Sequence, residues 1–210
     1  MLAPEASYPV NLRVAGRRCV VVGGGAVAAR KAAGLAAAGA AVEVVATRVG
    51  PEVRALGVPY AERPYRSGDV VGAWLVIAAT DEPEVNRAVQ ADGEAQRVWV
   101  NAADDLEACS FTLPAVIRQG AVTVAVSTSG RSPALAAWIK TLVADRLGPE
   151  FGVLADLLSE AREQLKAAGR STEDVDWRPA LDWAMLDMIK AGRTAQARER
   201  LQACLSSSSD

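Results

Sequence analysis

Between Cys19 and Ala46 the chain reads CVVVGGGAVAARKAAGLAAAGAAVEVVA: a short apolar run enters three glycines and leaves them as an alanine-rich stretch. Glycine loses more backbone freedom on folding than any other residue. Three at one junction therefore imply a turn that other residues cannot make, or a close approach that a Cβ would block. Gly23, Gly25 and Ala28 form G-x-G-x-x-A. After a strand and at the start of a helix, this is the spacing of a dinucleotide-binding βαβ unit. The first glycine permits the turn, the second lets a diphosphate reach the backbone, and the small third residue lets helix and strand pack closely. A helix candidate at Ala26–Ala38 and a second apolar run at Val42–Ala46 fall where that unit requires them. Free N–H groups at the helix start, reinforced by the helix dipole, then make Gly23, Gly24, Gly25, Ala26 and Val27 the expected phosphate cradle.

Further short apolar runs follow at Trp74–Ala79 and Val98–Asn101, with a weaker VPYAE at 58–62 and a helix candidate at Pro83–Ala95. Strands apolar on both faces and separated by helices predict an α/β fold with a Rossmann-type, doubly wound parallel sheet. The unit commonly ends its second strand in an acid that bonds the ribose hydroxyls. This chain has Thr47 and Arg48 there. Thr47 suits a ribose hydroxyl and Arg48 suits a 2′-phosphate, so the residues leave NAD and NADP both open, with S-adenosylmethionine as a lesser alternative. Thr80, Asp81 and Asn86 in AATDEPEVN follow the third strong run and are expected to line the cofactor cleft. Asp81 is equally placed to cap the next helix, and Asn101 has the same division between a site role and a structural one.

The chain has 210 residues, half of them hydrophobic and 23% charged, which argues for a folded chain and against disorder. A net charge of −2 gives no general reason to expect nucleic acid or an anionic membrane as partner. Three widely spaced cysteines (Cys19, Cys109, Cys204), none in a CxxC, suggest a reducing compartment and no thiolate metal site. The count of histidines is zero, which excludes His triads, His metal ligands and a His base. Catalysis is left to carboxylates, hydroxyls, Lys, Tyr or a cofactor. The opening MLAPEASYPVNLRVAGRR lacks a basic leader joined to a long apolar stretch, and no segment reaches about 18 apolar residues. A cytoplasmic location is the expectation.

After Asn101 the texture changes. A strand is expected at Ala121–Ser127, then a turn in STSGRSP (127–133), then a helix capped by Ser132 with Pro133 at its first position. From Glu150 onward the spacing of Leu154, Leu157, Leu158, Ala161 and Leu165 is helical. DWRPALDWAMLDMIKAG, with Trp177, Trp183, Met185, Leu186, Met188 and Ile189, reads as core or dimer packing ahead of a lid. Hydroxyls and a glycine before a helix start also make STSGRSP a candidate anion cradle.

GRRCVVVGGGAVAARKAAGLAAAGA, LVIAATDEPEVN, VNAADDLEACSFTLPAVIRQG and VAVSTSGRSPALA, in that order, closely resemble the precorrin-2 dehydrogenase family, the N-terminal module of sirohaem synthase. The resemblance spans roughly residues 8 to 147. It implies NAD-dependent oxidation of precorrin-2 to sirohydrochlorin, with ferrous iron insertion to sirohaem in some members. It also implies a homodimer joined through the middle segment, and a separate methyltransferase acting upstream. The organisation then expected is an NAD-binding domain at 1–105, a small α+β dimerisation and substrate segment at 106–147, and a helical C-terminal domain at 148–210. The family's functional aspartate falls on Asp104, with Asp105 as its neighbour; in a chain without histidine a carboxylate is the fitting proton acceptor beside a hydride-accepting nicotinamide. A polycarboxylate substrate makes Asn101, Arg118, Ser127, Thr128, Ser129 and Arg131 the expected substrate contacts, with Lys140 as a further cation. Thr128 matches a position resembling a phosphorylated serine in some relatives. Two other functions stay open: a non-catalytic NAD-sensing module, and a different nucleotide-dependent enzyme such as a methyltransferase.

Overall fold

Cys19, Val20 and Val21 of strand β1 (Arg18–Val22) are wholly inaccessible to solvent, so this strand is covered on both faces. The computed structural model, which describes residues 7–103, 109–173 and 175–207, shows how that cover arises. The chain divides into two compact units, Met1–Leu113 and Pro114–Asp210.

In the first unit β1 is the middle strand of a five-stranded sheet. Beside it on one side lie β2 (Ala41–Ala46) and β3 (Tyr60–Glu62), and on the other β4 (Leu75–Ala78) and β5 (Trp99–Ala102), all parallel. The register sets Val21 opposite Val44 and Ile77. Alternation then sorts the side chains. Cys19, Val21, Val44 and Ile77 pack with Ala28, Ala29 and Ala32 of α1 (Ala26–Ala37) and Val53 of α2 (Pro51–Ala55). Val20, Val22, Val76 and Val100 pack instead with Val89 of α3 (Pro83–Gln96) and Val70 of a tight turn at Ser67–Val70. Alanines on the buried face of α1 let that helix lie close to the sheet, which leaves room for valine-rich strands beneath it.

The strand order β3-β2-β1-β4-β5 makes the fold doubly wound. The connections through α1 and α2 step outward from β1 in one direction, and those after β3 step the other way. The reversal lies between β1 and β4, where open α/β sheets form their ligand crevice beyond the strand ends. Strand and helix limits agree with the sequence expectations to within one or two residues, the weak VPYAE stretch included. The unit extends past β5 because the following chain returns along it. The Val100 N–H donates to Ser110 Oγ at 2.6 Å, and the Ser110 N–H donates to the Val100 carbonyl at 2.8 Å.

The second unit opens with an antiparallel hairpin of β6 (Ala115–Gln119) and β7 (Val122–Val126). Strand β6 was not expected from the sequence, since only Ile117 in it is buried and its pattern gains meaning only opposite β7. Helix α4 (Pro133–Ala144) follows; the Leu135 N–H donates to Ser132 Oγ at 3.2 Å, with Pro133 in the first turn. Helices α5 (Glu150–Ala167), α6 (Trp183–Lys190) and α7 (Thr194–Ser207) share a core of Leu154, Leu157, Met185, Ile189 and Leu201. The mixed Trp/Met stretch thus divides: Met185, Leu186 and Ile189 are buried, while Trp183 is 70% exposed. Gly152 in α5 lies against the hairpin turn, where a Cβ would stand 2.7 Å from the Gln119 carbonyl oxygen. Among the described residues no helix is long and apolar enough to cross a membrane.

Candidate functional site

The three consecutive glycines meet three different demands. Gly23 has φ +132°, and a Cβ there would overlap the Ala79 carbonyl oxygen at the end of β4. Its N–H donates to the Val45 carbonyl at 2.8 Å, so the turn is tied to β2 as well. At Gly24 a Cβ would overlap the Arg48 carbonyl oxygen, and the Gly24 carbonyl accepts the Gly50 N–H at 2.9 Å. Gly25 is unlike both. It has an ordinary φ of −88°, and a Cβ there would meet nothing within 4 Å. Among the described residues no neighbour requires a glycine at 25.

Gly25 is the N-cap of α1. The first helical bond is the Ala29 N–H to the Gly25 carbonyl at 3.0 Å, no side chain caps the turn, and its first turn holds no acid. The N–H groups that every helix start leaves unpaired are thus open beside a bare Cα. This donor set fits a diphosphate, since amides and helix dipole favour an anion and the absent side chain leaves it room.

Around this turn lies a cleft of about 780 Å³. Gly23, Gly24, Gly25, Ala26 and Val27 line it together with Thr47 and Arg48 beyond β2 and Thr80 and Asp81 beyond β4. Val27 is 41% exposed, an apolar side chain at the mouth of a polar loop. The loop after β4 is braced by Asn86 of α3, whose Nδ2 donates to the Thr80 carbonyl at 3.0 Å and whose Oδ1 accepts from Thr80 Oγ1 at 2.9 Å. Asp81 does not cap α3; the N-cap residue is Glu82, and no side chain caps that helix.

Sequence reasoning missed Pro64 and Tyr65, which also line the cleft. The Tyr65 hydroxyl donates to Asp92 Oδ2 at 2.7 Å, and burial, with this bond, pushes the phenol well above its usual value. Tyr65 is therefore a neutral donor. No local pattern in RPYRSG announces this, because the partner is on α3, 27 residues along the chain.

Asn101 is not among the residues lining this cleft. It is 7% exposed, and its Nδ2 donates to the Phe111 carbonyl at 3.0 Å and to Cys109 Sγ at 3.4 Å, holding the returning segment to β5. At the strand's end the Ala103 N–H donates to the Ala78 carbonyl at 2.7 Å. Asp104 and Asp105, the expected acid and its neighbour, lie outside the described residues.

In the second unit Arg118 is exposed on β6 opposite Thr123, and Arg131 is exposed in the loop before α4. That loop is built by its own hydroxyls. Thr128 Oγ1 accepts the Ser132 N–H and donates to the Ser132 carbonyl, both at 3.1 Å, while Ser127 Oγ accepts the Ser129 N–H at 3.1 Å. Ser129 takes a left-handed φ of +51°. Lys140 is exposed on α4. Among the described residues no group of three or more Cys, Asp or Glu is arranged to hold a metal ion.

Comparison with known proteins follows the same division. Residues 10–115 match the family described as putative NAD(P)-binding, and residues 119–146 match the sirohaem biosynthesis protein central family. The chain is 37% identical to the siroheme synthase of Chromobacterium violaceum, over 93% of this chain and 43% of that protein. The siroheme synthase of Thioalkalivibrio sulfidiphilus is 35% identical over 97% of this chain and 43% of its own length. The chain therefore spans less than half the length of these curated relatives. A solved structure titled SirC, precorrin-2 dehydrogenase, superposes with a TM-score of 0.72 at 27% identity, covering 94% of this chain and 98% of that one.

Proposed function

Since this chain belongs to the family described as putative NAD(P)-binding, we propose that it oxidises precorrin-2 to sirohydrochlorin with NAD as the acceptor. The observation that carries the reading is Gly25: a glycine with no neighbour to demand it, at an uncapped helix start, in the crevice where a doubly wound sheet binds nucleotides. Likeness to SirC over nearly the whole length of both chains supports the choice of substrate.

The oxidation removes two hydrogens from the macrocycle. Bound NAD supplies the acceptor for the electron pair and one hydrogen; the other leaves as a proton. The protein's own part is to hold and orient. Amides from Gly24 to Val27 grip the diphosphate, Thr47 and Arg48 take the adenosine ribose side, and Thr80 and Asp81 face the cleft from β4. Asn86 keeps the β4 loop in place. For the proton we assign Asp104. What supports the assignment is its position in the sequence, two residues after β5 ends at Ala102, together with the lack of any histidine.

Arg118 and Arg131 are assigned to the substrate's carboxylates, together with the Ser127–Ser129 loop and Lys140. Asn101 contributes by holding the segment at Phe111 to β5. In functional terms 1–105 binds the cofactor, 106–147 serves substrate and a second copy in a homodimer, and 148–210 supports them. The chain acts after the methylation that yields precorrin-2, with ferrous iron as a second substrate where sirohydrochlorin is carried on to sirohaem, and it works in the cytoplasm.

Anaerobic incubation with precorrin-2 and NAD tests this. The expected result is the absorption spectrum of sirohydrochlorin with one NADH formed per macrocycle oxidised, and further conversion on adding ferrous iron. No NADH and an unchanged tetrapyrrole spectrum would overturn it. Asp104→Asn is expected to bind NAD and oxidise precorrin-2 far more slowly.

A further inference from the structure

Val85, Ala88 and Asp92 recur at i, i+3 and i+7 along α3, so they share one face of that helix. The first two line the cleft, as do Pro64 and Tyr65 from the loop after β3. Asp92 reaches the same loop by accepting the Tyr65 hydroxyl at 2.7 Å. One face of α3 therefore carries both an apolar lining and the anchor of an aromatic ring. Tyr65 is half-buried against the core layer that holds Val22, Val45 and Val89. Among the described residues that line the cleft it is the one aromatic side chain.

The loop that carries Tyr65 is fixed by its own bonds. Arg63 donates to both oxygens of Asp69, at 2.8 and 2.6 Å, and the Arg66 N–H adds a bond to the same carboxylate at 2.9 Å. Burial, with the bond to Asp92, keeps the phenol protonated, and its proton is committed to that carboxylate. What Tyr65 has left to offer the cleft is its ring.

The place of this lining along the sheet indicates what fits it. A nucleotide whose diphosphate rests on the amides at Gly25 has its adenosine ribose beside the end of β2, at Thr47 and Arg48. The strand next outward from β2 is β3, and Pro64 and Tyr65 follow it within three residues. The base carried by that ribose thus falls on the side of Pro64 and Tyr65, whereas β4 and β5 lie on the other side of β1. Flat apolar walls suit a planar base, and an aromatic face adds stacking.

Resting on the dinucleotide reading above, we propose that Tyr65, with Pro64, Val85 and Ala88, walls a slot for the adenine base, and that Asp92 is the positioning residue that holds the Tyr65 ring in place.

Calorimetric titration of the whole chain with NAD and with ADP tests this without turnover, since ADP carries the base, ribose and diphosphate and lacks nicotinamide. Tyr65→Leu keeps an apolar side chain and loses the ring. It should weaken NAD and ADP by the same factor, about 10-fold or more, the scale of a lost stacking partner. Tyr65→Phe keeps the ring and loses its anchor, so a loss of about 3-fold is expected, and Asp92→Ala should match it. The double variant should bind no more weakly than either single one, because both changes remove the same bond. Adding ADP to the unaltered protein should perturb a tyrosine ultraviolet band, and Tyr65→Phe should abolish that signal, which a tyrosine used only for packing would not give. Circular dichroism checks folding; if Tyr65→Leu does not fold, Tyr65→Phe, Asp92→Ala and the ultraviolet band decide the matter. A Tyr65→Leu protein whose NAD affinity falls while its ADP affinity holds would put the ring at the nicotinamide end and overturn the proposal. So would losses from Tyr65→Phe and Asp92→Ala that add in full, or an ultraviolet spectrum that ADP leaves alone. If the unaltered protein binds neither NAD nor ADP, the dinucleotide reading itself falls; if it binds both and Tyr65→Leu changes neither, only the slot falls.

Discussion

Thr80 and Asn86 clasp each other through both ends of one amide, with Nδ2 donating to the Thr80 carbonyl at 3.0 Å and Oδ1 accepting from Thr80 Oγ1 at 2.9 Å. The Thr80 N–H adds a third bond to the same oxygen at 3.3 Å. A loop at the end of β4 thereby takes its shape from α3. Asn86→Ala is expected to remove all three bonds and leave two half-buried backbone groups to find water. The expected loss is about 1–3 kcal/mol in urea unfolding, with dinucleotide affinity falling roughly 10-fold. Asn86→Asp keeps the acceptor and loses the donor, so it should fall between. An affinity for NAD unchanged in Asn86→Ala would show that the loop does not shape the cleft.

Gly23 and Gly25 are expected to separate stability from binding. Gly23→Ala sets a Cβ against the Ala79 carbonyl at a φ of +132°, so thermal unfolding should occur at a clearly lower temperature. Gly25→Ala meets no protein atom within 4 Å. Its stability should stay within about 1 kcal/mol, the scale of exchanging glycine for alanine at an N-cap. NAD binding should nevertheless fall by 10-fold or more, as the new methyl occupies the approach to the amides. A Gly25→Ala protein that binds NAD normally would remove the ligand-based account of that glycine.

Asp69 links the first unit's stability to acid. Its carboxylate accepts from Arg63 Nη1 at 2.8 Å and Nη2 at 2.6 Å and from the Arg66 N–H at 2.9 Å. The Arg63 bonds, ahead of the Arg66 N–H, hold its pKa below the usual aspartate value against some opposing burial. A depressed carboxyl binds its proton less readily folded than unfolded. Its contribution is therefore complete above about pH 4, the ordinary aspartate range, and lost as pH falls through the lower folded value. Asp69→Asn should be less stable near neutrality by about 1.5–3 kcal/mol. Its unfolding free energy should also change less between pH 5 and pH 2 than that of the unaltered chain, roughly the window set by the linkage. Parallel acid profiles for the two proteins would show that this pair is not what acid breaks.

Much of the first unit was legible because its signals are local. Valine-rich runs of strand length, a glycine turn that leads straight into a helix, and a proline at the first turn of α3 each act within a few residues. Such patterns determine which elements form, and in a sheet buried on both faces they determine the order of layers as well. Ser132 and Pro133 at the start of α4 are of the same kind.

Tertiary structure decided how each residue at the site is used. The sequence shows three glycines in a row; only packing against Ala79 and Arg48 separates the two that the protein needs from Gly25, which it does not. Asn101, at the end of a strand in the place of a site residue, turns inward because Phe111 comes back to meet it. Glu62 and Arg54 satisfy each other and leave Arg48 without a side-chain partner among the described residues. Local periodicity shapes the backbone, whereas the side-chain partners are set by contacts between elements distant along the chain, and those exist only once the sheet has assembled.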